Sequence, residues 1–217
     1  MILPCIDGGA EFPATNNACK EPDGLLCYGG DLSTDRLVTA YRKGIFPWYA
    51  QGEPILWWSP WQRMVLYPDK LHVSKSLKKA IKRTQPKFYM NRNFSAVIQL
   101  CAEVPRSDNG TWIHPEMVTA YEALFAAGHA FCIEVEINQQ LVGGMYGVTL
   151  DRVYCGESMF SLASNGSKYA MYGLCQHMLN NGIELLDCQI HNPHLASMGA
   201  ELINSEQFQM FLPHSNG

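Results

Sequence analysis

Residues 130 to 160 constrain this chain more than any other stretch. Three segments, Ala130 to Ile137, Leu141 to Leu150 and Val153 to Phe160, are separated only by the polar turns NQQ and DR. Connections that short join antiparallel neighbours, so the three segments predict a meander. The stretch after it, SNGSKYAMYGLCQHMLNNG, reads as a helix from Ser167 to Leu179 that ends before Gly182, and ELLDCQI reads as a further strand. A meander, a helix packed across it and one more strand make the fold class α+β.

Upstream the pattern is looser. From Phe12 to Pro60 the chain is rich in Gly, Pro and aromatics around one clear helix, Thr34 to Lys43, with Ser33 as N-cap, Asp35 in the first turn and Gly44 as the stop. The stretch IFPWYAQGEPILWWSP predicts loops and a short strand. Residues 1–62 are read as a small N-terminal domain and 63–217 as a larger second one. The second opens with a strand near Met64 to Tyr67 and a helix from Lys75 to Arg83 capped by Ser74. A strand near Phe88 to Met90 follows, then a helix carrying Phe94, Val97, Ile98 and Cys101, and another that starts at Pro115 and is closed by Gly128. This order resembles the N-acetyltransferase-like (GNAT-like) fold, which implies a mixed, mainly antiparallel sheet.

The formal net charge is only −4, but its distribution is uneven. Between Lys70 and Lys87 stand seven basic residues and no acid, against nine basic and twenty acidic residues elsewhere. On the Ser74-capped helix, Lys75, Lys78, Lys79 and Lys82 follow the i, i+3, i+4, i+7 spacing, with Leu77, Ala80 and Ile81 on the opposite face. A solvated helix face normally intersperses Glu or Asp with its lysines. An unbroken row on an acidic protein points to a polyanion site, which makes these four lysines and Arg83 candidate nucleic-acid contacts.

Eight cysteines stand far apart without a C-x-x-C pair, which predicts free, mostly buried thiols in a reducing compartment. Cys188, His191 and His194 come nearest to a metal pattern, but Pro193 breaks any regular element there and a fourth ligand is lacking, so no metal is expected. The first residues lack a basic segment followed by a long apolar one, and no later run approaches the roughly 18 apolar residues of a membrane span. A cytoplasmic monomer without membrane contact is the expectation.

Six motifs then occur in order over most of the chain: GLLCYGGDLSTDRLVTAYRKGIFPWY, ILWWSP, TWI, LVGGMYGV, CGESMF, and LLDCQI followed by HLASMGA. Together they resemble the leucyl/phenylalanyl-tRNA-protein transferase family. The resemblance implies transfer of Leu or Phe, less well Met, from aminoacyl-tRNA to proteins beginning with Lys or Arg, which marks them for N-degron proteolysis. The donor is already an activated ester, so forming the amide needs orientation and proton handling but no ATP, metal or redox cofactor.

Within the family, Asp187 and Gln189 match the proposed catalytic pair, the aspartate as base or amine holder and the glutamine positioning the carbonyl. Strand alternation places both on one face of LLDCQI and turns Cys188 away. By themselves, such residues equally suit hydrogen bonds to a neighbouring loop. Glu157 and Ser158, in CGESMF, match contacts to the aminoacyl group or the terminal adenosine; a buried, hydrogen-bonded carboxylate is the other reading of Glu157. Met145 and Tyr154 match positions lining the donor side-chain slot, although periodicity alone makes both core. Among the aromatics around the domain junction, Trp48 and Trp112, with Tyr41 beside them, are candidates for stacking a terminal adenine.

Two rivals come from other classes: a CoA-dependent N-acetyltransferase and a non-catalytic RNA-binding module. Acetyl-CoA users of this fold carry a glycine-rich loop before the helix, where this chain has SLASNGSKYA with only Gly166. Gly166, Ser167 and Lys168 offer instead a helix N-terminus and a cation to one tRNA phosphate. Departures from the family pattern (AFCIEVE, SPWQR, Leu162 and LINSEQF) include losses of positive charge, which weaken the expectation of tRNA contacts outside the lysine helix.

Overall fold

The computed structural model describes residues 3–104 and 112–213. Near the N-terminus, β1 (Leu25–Tyr28), α1 (Thr34–Arg42), β2 (Phe46–Pro47) and β3 (Leu56–Trp58) build a three-stranded antiparallel sheet in the order β1-β3-β2. IFPWYAQGEPILWWSP thus supplies two short strands where the sequence suggested one. Ser33 occupies the N-cap of α1, but its side chain does not cap. It turns back to Asp31 instead, whose carboxylate accepts the Ser33 N–H at 2.8 Å.

The remaining elements are β4 (Gln62–Leu66), α2 (Lys75–Thr84), β5 (Lys87–Met90), α3 (Phe94–Glu103), α4 (Pro115–Ala126), β6 (Ala130–Ile137), β7 (Gln140–Leu150), β8 (Val153–Ser161), α5 (Gly166–Asn180), β9 (Leu185–Asp187), α6 (Pro193–Ser197), β10 (Glu201–Asn204) and α7 (Ser205–Gln209). The expected meander forms, with β6, β7 and β8 paired antiparallel. It lies in a seven-stranded sheet ordered β10-β4-β9-β8-β7-β6-β5. β9 runs parallel to β8, because α5 carries the chain across one face before it re-enters the sheet. The other pairs are antiparallel, so the sheet is mixed and mainly antiparallel.

Alternation along β6 assigns the two faces of this sheet. Phe131, Ile133 and Val135 join Leu174, Cys175 and Met178 of α5 and Leu77 of α2, whereas Ala130 and Cys132 join Phe94, Val97, Tyr121 and Leu124 of α3 and α4. Leu26, Leu37 and Trp57 of the N-terminal segment belong to the second cluster. On the first face α5 lies close against β7. A Cβ on Gly166 would sit 2.1 Å from the Val142 carbonyl oxygen, and one on Gly143 would sit 2.4 Å from the Gly166 carbonyl carbon. Glycine at both positions is what lets helix and strand touch backbone to backbone. Gly166 is therefore used for packing.

Two features depart from the sequence reading. The strand ELLDCQI is ordered as a strand only over Leu185–Asp187, since Gln189 takes a left-handed φ of 59°. Downstream, α6, β10 and α7 form where no element was expected; α7 is fixed by a capping box between Asn204 and Gln207.

Candidate active site

The site grows from a buried ion pair. Arg63, on β4, donates from Nε and Nη2 to the two carboxylate oxygens of Asp187, on β9, at 2.8 and 2.7 Å, and both side chains are almost wholly shielded from water. The guanidinium lies between the rings of Phe46 and Phe208, 4.9 and 4.5 Å from their centroids, and Nη1 donates to the Gly44 carbonyl. A buried arginine needs this density of partners, because its desolvation is otherwise uncompensated. Asp187 Oδ1 also accepts the Gln189 backbone N–H at 2.9 Å, closing a tight turn of the kind Asp side chains favour. That turn holds Gln189 in its left-handed conformation and ends the strand.

On the other side of β9 the structure opens a cavity of about 520 Å³. Met145, Met159, Met171, Leu186, Cys188 and Leu195 supply its apolar wall; Glu157, Ser158, Gln189, Asn192 and His194 supply its polar groups. Trp48 and Trp112 stand at the same cavity. Its size suits a small ligand, and its mixture of flexible apolar side chains with a few polar groups is that of a binding site.

Glu157 is the carboxylate on this wall among the described residues. Gln189 Nε2 donates to Glu157 Oε1 at 3.0 Å, and the Tyr121 hydroxyl donates to Oε2 at 3.3 Å. The Tyr121 and Tyr41 hydroxyls are 2.5 Å apart, and both rings are buried. Burial in this apolar pocket raises the Glu157 pKa to about 7, helped by the neighbouring Asp187 charge and opposed by the tyrosine hydrogen bonds and Arg63. Burial likewise pushes both tyrosines well above their usual range.

The structure brings Trp48, Trp112, Met145, Glu157, Ser158 and Gln189 to one cavity, but it moves three expected residues away from it. Asp187 points to the opposite face of β9, because Leu186 is the strand residue directed at the cavity; Cys188 faces the cavity, against the alternation reading. Gln189 reaches it only through the turn. Tyr154 stacks on Phe131 at 4.5 Å and approaches His177 of α5, so it belongs to the core beneath the sheet. Tyr41 stands behind Glu157 and does not line the cavity. The sequence reading gave no place in the site to Phe46, Met159, Met171, Leu186 and Leu195, and weighed His194 only as a metal ligand. Met159 and Leu195 lie inside quoted motifs, whereas Met171 is one apolar residue among many on α5.

The basic helix forms as expected. The Ser74 hydroxyl accepts the Leu77 N–H at 3.2 Å, Leu77 is buried, and Lys75, Lys78, Lys79, Lys82 and Arg83 are exposed. None of these five joins an ion pair among the described residues. Leu77 belongs to the apolar cluster that also contains Met145, Met171 and Leu186, so the basic face and the cavity wall share one core. Lys168 is half-buried near His194, whose pKa is lowered by burial and then by that lysine. At the start of α5 the Ser167 N–H is bonded to Ser161 Oγ at 2.7 Å, which leaves one amide fewer for a phosphate. Thr111 of the TWI motif lies outside the described residues.

The mixed sheet, the parallel crossover through α5 and the cavity beside β8 and β9 define an N-acetyltransferase-like fold, and Gly166 is occupied by packing, not free to cradle a pyrophosphate. The crystal structure of FemX shares the fold at a TM-score of 0.51 and 10% identity, covering 83% of this chain and 71% of that one. The chain belongs to the leucyl/phenylalanyl-tRNA protein transferase family: that family's model matches residues 65–213, and the model of its N-terminal domain matches residues 30–60. A leucyl/phenylalanyl-tRNA–protein transferase of Pectobacterium carotovorum is 50% identical over 91% of this chain and 84% of its own length. One from Chromobacterium violaceum is 45% identical over 95% and 89%.

Proposed function

We propose that this protein transfers Leu or Phe, and less well Met, from aminoacyl-tRNA to the N-terminal α-amine of proteins that begin with Lys or Arg, marking them for N-degron proteolysis. The observation that carries the reading is the cavity whose apolar wall includes Met145, Met159 and Met171 and whose polar group is the hydrogen-bonded pair Glu157 and Gln189. Unbranched thioether side chains adapt to donor side chains of different shape, which suits a slot that admits Leu, Phe and Met. Trp48, 41% exposed, and Trp112 offer faces on which the terminal adenine stacks. The unpaired cations of α2, with Lys168 nearer the cavity, take tRNA phosphates.

In this reading the chain works without a cofactor, as a monomer in the cytoplasm; among the described residues no helix is long and apolar enough to cross a membrane. Residues 1–62 and 63–217 act as two domains, the first bringing Phe46, Pro47 and Trp48 to the cavity and the second the remaining walls. Incubation with Leu-tRNA and a peptide beginning with Arg tests the proposal: the peptide gains the mass of one leucyl residue. A peptide of unchanged mass, under low-salt conditions where tRNA is bound, overturns it.

A further inference from the structure

The geometry points to Glu157 as the group that takes the proton from the incoming α-ammonium, with Asp187 confined to positioning Gln189. This inference rests on the transfer reaction proposed above and assigns its proton. Asp187 is unsuited to that task because it faces away from the cavity and its carboxylate is committed to a buried, two-pronged ion pair with Arg63, whereas the partners of Glu157 are neutral side chains. Glu157 lies on the cavity wall beside the apolar slot, in a structure that fixes its orientation from two sides: Gln189 from β9 and Tyr121 from α4. A carboxylate held in place at the reaction centre is what proton abstraction from an amine requires.

An acceptor α-amine has a reference pKa of about 7.7 to 8.0, so most of it arrives protonated at neutral pH. The Glu157 carboxylate removes one proton, and the freed lone pair forms the C–N bond at the ester carbonyl carbon. The nitrogen's second proton passes to the ribose oxygen as the C–O bond breaks. The products are the amide, a free ribose hydroxyl and a proton on Glu157 that returns to solvent. Among the described residues, the charged and titratable groups facing Glu157 are Tyr41 of α1, Arg63 of β4, Tyr121 of α4, Cys155 of β8 and Asp187 of β9, with His194 of α6 across the cavity. With a pKa raised to about 7, Glu157 is matched to an amine titrating slightly higher. His194 is the rival acceptor, and the experiment separates the two.

The test compares two acceptors, an Arg-initiated peptide and hydroxylamine, which is largely unprotonated at neutral pH and needs no base to become a nucleophile. Glu157→Gln should reduce leucyl transfer to the peptide by about 100-fold or more, the usual scale of a lost general base, while transfer to hydroxylamine falls by less than about tenfold. A cooperative urea unfolding curve reports that the variant is folded. Asp187→Asn and His194→Asn should retain the wild-type ratio of peptide to hydroxylamine transfer, whatever their absolute rates. Equal losses toward both acceptors in E157Q, full activity of E157Q toward the peptide, or the selective pattern in D187N or H194N would each overturn the assignment. Should E157Q fail to fold, Glu157→Asp carries the same comparison, because it keeps the carboxylate but withdraws it by about one carbon–carbon bond, ~1.5 Å. A wild-type protein inert toward both acceptors would instead defeat the transfer reaction itself.

Discussion

Arg63 and Asp187 form a two-pronged ion pair sealed from solvent, and through it β4, β9 and the C-terminal helix α7 are tied to the turn that presents Gln189. Breaking one side leaves an uncompensated buried charge. Arg63→Met and Asp187→Leu should each destabilise the fold by about 3–5 kcal/mol, and the double replacement by clearly less than their sum. Urea unfolding midpoints of the four proteins check this. Transfer should remain lost in the double variant even where stability returns, since the Asp187 acceptor that holds Gln189 is gone.

In the proposed reading the lysine row sets affinity for tRNA and not the chemistry. Replacing Lys78, Lys79 and Lys82 together with Gln should weaken tRNA binding and lower the slope of log K against log salt by roughly 2 to 3, about one phosphate contact for each lysine. The rate at saturating tRNA should stay near that of the wild type. Filter binding across a salt series, with single-turnover transfer at high tRNA, measures both quantities.

Gly156 lines the cavity proposed as the donor slot. A Cβ there would lie 3.3 Å from Met145 Cε and 3.5 Å from Leu186 Cδ1, on the cavity side of β8. Gly156→Ala narrows the slot by one methyl group, and should disfavour Phe relative to Leu by about tenfold, the scale on which one carbon is discriminated in an apolar pocket. The ratio of kcat/KM for Phe-tRNA and Leu-tRNA, measured on one acceptor peptide, reports the change.

Glu157 also ties stability to pH. Its folded pKa of about 7 stands above the ordinary value of 4.5, so the native state binds that proton more tightly than the unfolded chain. The stabilisation this confers is fully present below pH 4.5 and is lost as pH rises toward and through 7. The limiting slope is about 1.4 kcal/mol per pH unit, reduced by the partial exposure of Glu157. Relative to Glu157→Gln, the wild type should therefore lose stability between these limits. Paired urea titrations at pH 5 and pH 8 test the sign.

Much of this was legible because local rules suffice for it. Two- and three-residue turns specify the meander, the Ser74 cap and its lysine spacing specify α2, and the ordered motifs specify the family and the polar groups Glu157, Ser158 and Gln189. None of these depends on knowing what lies across the sheet. The sequence could not decide which face of β9 Asp187 would take. Alternation alone grouped it with Gln189, but Arg63, 124 positions away, draws its carboxylate to the opposite side, and the left-handed turn at Gln189 breaks the alternation. The same limit moved Tyr154 to a stack on Phe131 and Tyr41 to a place behind Glu157. It also hid Met171 among the apolar residues of α5. Side-chain direction at a strand end is fixed by long-range partners and by the exit turn, so the sequence determined the reaction class and several of the polar residues, and only the tertiary structure decided which carboxylate faces the cavity.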